Sequence, residues 1–178
     1  MRATYDTDVD LINFSNSSAD PHDGDFTAKK GSSLPSIPKH QLKLRGQYLV
    51  TPDWTIGTNI IGYADQYVWG NENNKHVANS AACEDGEVCA MGKGKVSGYF
   101  VVNLDTQYNI GKGWKAFAKA TNIFDRDYYV SGRLAETMFT GAGNSQDEEK
   151  RMLGLLPGAP RAAWVGLRYE FAAPKAAQ

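Results

Sequence analysis

The side chains able to carry chemistry are few and scattered. His22, His40 and His76 are far apart in polar stretches, and no Ser–His–Asp order with a nucleophile elbow accompanies them. Cys83 and Cys89 are the only cysteines; they lack a second pair, and His76 is the one nearby imidazole, so zinc is not indicated. Asp6-Thr7-Asp8-Val9-Asp10 opens like a calcium loop. However, Leu11 stands where such a loop turns on glycine, and Ser17 where it needs glutamate. Gly92-Lys93-Gly94-Lys95 lacks the spacing of a phosphate loop, and Asp147-Glu148-Glu149-Lys150-Arg151 reads as a hydrated surface. No catalytic residue, metal or cofactor is expected. With 19 Lys+Arg against 20 Asp+Glu the net charge is -1, which argues against affinity built on neutralising nucleic-acid phosphates.

The elements that would position any site are strands. Polar and apolar residues alternate over 41–50, 54–65, 99–110, 114–121 and 163–171, and none of these segments contains proline. A sixth strand is expected around Met1 to Tyr5. Thr51-Pro52-Asp53 and Gly111-Lys112-Gly113 are tight turns between antiparallel neighbours. The other connections, 6–40, 66–98 and 122–162, are long and rich in Asn, Asp, Ser and Gly, too long for structureless loops in an ordinary compact domain. No apolar run approaches the ~18 residues of a membrane-spanning helix. Short turns at one end and long loops at the other are instead the asymmetry of an outer-membrane barrel.

The faces of these segments differ sharply. One carries Leu42, Leu44, Ile56, Ile60, Phe100, Val102, Leu104, Ala116, Ala118, Val165 and Leu167. All eight charged residues of the five segments lie on the other: Lys43, Arg45, Asp65, Asp105, Lys115, Lys119, Arg168 and Glu170. A soluble sheet with one buried face produces the same alternation. Two features favour lipid. Tyr48, Trp54, Tyr108, Trp114, Tyr169 and Phe171 gather at the tight-turn end, as in an interfacial aromatic girdle. The apolar face is also rich in Ala and Gly, which fill a soluble core poorly. The inward cations either steer an anionic ligand or pair with Asp65, Asp105 and Glu170.

The last third carries a family resemblance. Ala120-Thr121-Asn122-Ile123-Phe124-Asp125-Arg126-Asp127-Tyr128-Tyr129 resembles the "N-L-F-D-x-x-Y" strand of TonB-dependent outer-membrane receptors. Pro157-Gly158-Ala159-Pro160-Arg161, with the strand from Ala162 to Phe171, resembles their closing strand, and Leu34-Pro35-Ser36-Ile37-Pro38-Lys39-His40 resembles a proline-marked entry to a late strand. Asn122, Phe124, Asp125, Tyr129, Pro160, Arg161 and Phe171 are the motif positions. Ala172 to Gln178 depart from the family pattern, in which that final aromatic usually ends the chain.

The resemblance implies an all-β fold: an antiparallel transmembrane β-barrel segment, about the last five to six strands of a roughly 22-stranded barrel, incomplete on its own. Residues 1–171 would be the barrel portion and 172–178 a short tail. The start, Met1 to Asp6, lacks the apolar core of a signal peptide, so the export signal, plug and TonB-interacting segment would belong to a preceding part. The implied function is TonB-dependent uptake of a scarce ligand, most often an iron–siderophore complex. The implied partners are outer-membrane lipid, the TonB complex, the barrel assembly machinery and a ferric siderophore or similar small ligand, with no nucleic acid. Ligand contacts are expected at the loop bases, at Tyr67, Trp69, His76, Tyr129 and Arg133, where rings and polar groups favour recognition. In a loop that passes through an oxidising compartment, Cys83 and Cys89 would form a local disulfide rather than remain two thiols. Two other readings stay open: a small outer-membrane enzyme or passive porin-like barrel, and a soluble ligand-binding barrel or sandwich.

Overall fold

The computed structural model describes residues 3–78, 92–136 and 151–171, and the side chains of Glu136 and Arg151 are not described. The chain divides into two units. One comprises Met1–His40, Tyr63–Tyr99 and Tyr128–Gly158; the other comprises Gln41–Gly62, Phe100–Asp127 and Ala159–Gln178. Cys83 and Cys89 lie outside the described residues.

In the second unit, all five segments of strict alternation join one antiparallel sheet. Its strands are β3 (Gln41–Thr51), β4 (Trp54–Tyr63), β7 (Tyr99–Gly111), β8 (Trp114–Thr121) and β11 (Ala162–Tyr169), in the order β11-β8-β7-β4-β3. The turn into β8 uses positive φ at Gly111, Lys112 and Gly113 (97°, 53° and 84°), the geometry that glycine accepts without strain. Trp114 pairs with Tyr169 and Val165 with Ala118, so the apolar parities of β8 and β11 share a face. That face is uncovered: Leu44 is 53% exposed, Val165 83% and Leu167 65%. Between Ala116 and Ala118 on one strand and Val165 and Leu167 on the next lies a shallow groove of 350 Å³. The rings of Trp114, Tyr169 and Phe171 touch in series, with centroids 4.9 and 4.8 Å apart.

Thr58, Thr106 and Trp54 on the apolar face find their hydrogen-bond partners within the sheet. Thr106 Oγ1 donates to the Thr55 carbonyl at 2.9 Å and accepts from Trp54 Nε1 at 2.8 Å, while Thr58 Oγ1 donates to the Asn103 carbonyl at 3.4 Å. On the opposite face, Arg45 forks onto Asp105 at 3.1 and 3.2 Å, and Lys115 meets Glu170 at 2.9 Å. Asp65 departs from its expected role. It lies just past β4 and pairs with Lys95 at 3.0 Å, because the strand ends at Tyr63. Phe117 also occupies the polar parity, where its ring covers Gly166; a side chain at Gly166 would collide with it.

The first unit corrects the expectation of long loops. Among the described residues of those segments are three two-stranded pairs: β1 (Val9–Ile12) with β2 (Asp25–Ala28), β5 (Gln66–Tyr67) with β6 (Lys95–Val96), and β9 (Tyr129–Glu136) with β10 (Arg151–Pro157). Backbone groups in so long a connection need partners, and short ladders supply them. Among the described residues, the expected N-terminal strand appears as one bridge, Thr4 to Ser33, flanked by the bonds of Tyr5 with Gly31 and Ser32. Val68, Val96 and Leu134 form a small buried cluster, with Leu153 packed against it.

Candidate functional site

The motif residues do structural work. Asn122, with φ 48°, is 2% exposed and ends β8 as a knot. Its Nδ2 donates to the carbonyls of Arg126 (2.9 Å) and Ala159 (3.2 Å), and its Oδ1 accepts from Arg126 N–H at 3.0 Å. Asp125 accepts from Arg161 N–H at 3.2 Å and faces the Arg161 guanidinium at 3.4 Å. These bonds join the exit of β8 to the entry of β11, next to Pro160. Phe124 and Phe171 stand 64% and 86% exposed, and Tyr129 opens β9 opposite Pro157.

A second polar knot lies in the first unit, around Gly70-Asn71-Glu72-Asn73-Asn74. Gly70 has φ +93°, and a Cβ there would overlap Asn13 Nδ2. Asn71 is 1% exposed; its Nδ2 donates to the Gly94 carbonyl at 2.8 Å and its Oδ1 accepts from His76 N–H at 3.0 Å. Asn16 Nδ2 donates to the Gly70 carbonyl at 2.8 Å and to Asn73 Oδ1 at 3.2 Å. His76 is buried here. Its Nδ1 accepts from Ser17 N–H at 3.0 Å, so Nε2 carries the proton and donates to the Gly92 carbonyl at 3.3 Å. Burial pushes this imidazole below the usual histidine range, partly offset by the bond to Gly92.

Beside this knot opens a cleft of 490 Å³, within the range of small-molecule sites. Its apolar wall is made by Leu11, Ile12, Phe26 and Trp69, and its polar groups are Asn13, Glu72 and Arg133. A smaller depression of 260 Å³ shares Ile12, Asn13 and Arg133 with it. Of the five expected contact residues, the fold brings two together here. Trp69 and Arg133 meet in a parallel bridge, with Trp69 N–H donating to the Gly132 carbonyl at 3.1 Å and Leu134 N–H to the Trp69 carbonyl at 2.8 Å. Trp69 leaves half its surface open (52% exposed). Tyr67, His76 and Tyr129 do not line the cleft. Tyr67 lies beneath Lys95, whose Nζ is 4.6 Å from the ring centre; the bond from Lys95 also holds the Asp65 carboxyl below its ordinary range. Glu72 was not foreseen. Nothing in an Asn-rich stretch signals that its glutamate turns inward.

An uncovered apolar face, inward ion pairs and a tight-turn aromatic cluster on one antiparallel sheet define a segment of a transmembrane β-barrel. Comparison with protein families matches residues 2–123 to the TonB dependent receptor-like β-barrel, and the chain belongs to that family. Members of the family are outer-membrane transporters, not enzymes. Comparison with curated proteins returns no match.

Solved structures share the fold. Fiu, the ferric-catecholate import receptor of E. coli K12 in its open form, is 20% identical with a TM-score of 0.51, covering 83% of this chain and 18% of its own. FpvA of P. aeruginosa bound to heterologous pyoverdines is 17% identical with a TM-score of 0.51, covering 83% and 16%. The P. aeruginosa ferripyoverdine receptor bound to ferripyoverdine is 18% identical with a TM-score of 0.50, again covering 83% and 16%. The chain thus spans less than a fifth of the length of each of these receptors.

Proposed function

We propose that this chain is part of an outer-membrane receptor that imports a scarce ligand, most simply an iron–siderophore complex, with work supplied by the TonB complex through a preceding part of the receptor. The observation that carries the membrane placement is the apolar face. It is open to the surroundings, yet the hydroxyls of Thr58 and Thr106 and the indole N–H of Trp54 all find partners inside the sheet. Water would make such pairing unnecessary; hydrocarbon requires it. A soluble sandwich would cover Leu44 and Val165, and here both are more than half exposed. The Ala-lined groove suits acyl chains, and the ring cluster of Trp114, Tyr169 and Phe171 suits the headgroup level.

On this reading outer-membrane lipid covers the sheet, the barrel assembly machinery inserts it, and the cleft at Trp69 and Arg133 contributes to ligand capture. The related receptors named above take up ferric catecholates or bind ferripyoverdine, which supports an iron chelate as the ligand class. The test is uptake of radiolabelled ferric siderophores by cells with and without the gene. Loss of uptake on deletion, and equal loss in cells lacking TonB, is the expected result. Unchanged uptake across a panel of ferric chelates overturns the ligand class. Extraction of the chain without detergent overturns the membrane placement.

A further inference from the structure

Glu72 is the unusual member of the cleft. It is 8% exposed, yet only one of its carboxylate oxygens is occupied, accepting Gly70 N–H at 2.8 Å. Among the described residues no cation or further donor meets the other oxygen. Its charge is felt by the Tyr5 phenol, which burial first and Glu72 second push above its ordinary value. A carboxylate held this far from water with half its acceptor capacity unused favours a cationic partner strongly. On the same cleft Arg133 makes no ion pair among the described residues and is exposed. One depression therefore carries a buried anion, an open cation and the free face of Trp69.

We infer that the cleft selects a zwitterionic ligand, or the zwitterionic portion of a larger one. Its ammonium or guanidinium group is received by Glu72, its carboxylate by Arg133, and its apolar or aromatic body by Trp69 and Ile12. The inference rests on reading the cleft as a ligand site and adds which chemistry that site prefers. The two carboxylate oxygens of Glu72 have separate duties. One accepts the N–H of Gly70, which has positive φ; the other is left for the ligand. Arg133 offers a planar fork suited to a carboxylate.

Three probes that share a ring and differ in charge test this on the full chain in lipid nanodiscs: phenylalanine, phenylacetate and phenethylamine, followed by ligand-observed saturation-transfer NMR. Phenylalanine is expected to bind most tightly. Glu72→Gln keeps an acceptor for Gly70 N–H while removing the charge. It should weaken phenylalanine and phenethylamine about tenfold and leave phenylacetate unchanged, since a hydrogen bond to a charged group accounts for a change of that order. Arg133→Gln should do the reverse, weakening phenylalanine and phenylacetate and sparing phenethylamine. If Trp69→Ala abolishes phenylacetate binding but Glu72→Gln changes nothing, the cleft is a ligand site and the zwitterion preference is wrong. If binding survives both Trp69→Ala and Glu72→Gln, the probes sit elsewhere and the inference falls. If none of the probes binds, the inference and the cleft reading fall together.

Discussion

The two units of this chain solve the same problem in opposite ways. The unit around Leu134 hides a small apolar cluster and buries a dense set of amides against carbonyls, with Asn71 and Asn16 at 1% and 2% exposure. The sheet from β3 to β11 leaves Leu44, Val165 and Leu167 outside and turns its charges onto the other face, where Arg45 pairs with Asp105 and Lys115 with Glu170. A folded segment in water must remove apolar surface, whereas one in hydrocarbon must remove only hydrogen-bonding groups. The difference between the units is therefore a difference of solvent, written in which atoms are left unpartnered.

Substitutions can break that comparison. In the amide-rich unit, Leu134→Ala leaves a cavity beneath Val68 and Val96 and is expected to cost about 3 kcal/mol. Hydrogen exchange of the amides around Val68 and Val96 would show it, while the sheet amides keep their protection. In the sheet, Val165→Arg places a charge on the face expected to meet lipid, and should cost about 2–3 kcal/mol in vesicle-embedded chain, measured by denaturant titration. The matching substitution on the charged parity, Lys43→Ala, is expected to stay within about 0.5 kcal/mol. If Val165→Arg is as mild as Lys43→Ala, the two faces are not in different solvents.

What the sequence discloses follows the same divide. The sheet was readable because a lipid-facing strand admits no charge, so its parity stands out even in segments as plain as Trp114 to Thr121. The strand ends came within two residues of those read from alternation. The β9–β10 pair was not readable, since Ser131 and Gly132 break the alternation of Tyr129–Glu136, and its partner is reached only across a long connection. Trp69 and Arg133 could be named as candidates from their chemistry. Their pairing depends on a bridge between residues far apart in the chain, and the inward turn of Glu72 depends on the knot around Gly70. His76 illustrates the limit: its type suggested ligand contact, whereas its surroundings make it a hydrogen-bond acceptor inside the fold.

The gentlest perturbation is a proton on that histidine. Ser17 N–H points at Nδ1, so protonation sets two N–H groups against each other and forfeits one bond of the knot. The folded state lowers the imidazole's affinity for protons from the ordinary histidine value of 6.5, so below that value the unfolded chain binds more protons. The stability contributed by His76 is complete above pH 6.5 and is lost as pH falls through the lower folded value. Asp65, held down from 3.8 by Lys95, loses its contribution only below 3.8. Unfolding of the amide-rich unit, followed by exchange of the Asn71 and Ser17 amides, should therefore ease as pH falls below 6.5 in the native chain. His76→Gln should unfold more readily throughout and lose that slope. Sheet amides should show no change over the same interval, because no histidine lies in β3, β4, β7, β8 or β11. A slope of equal size in both units would mean that the proton acts on the whole molecule rather than on the knot.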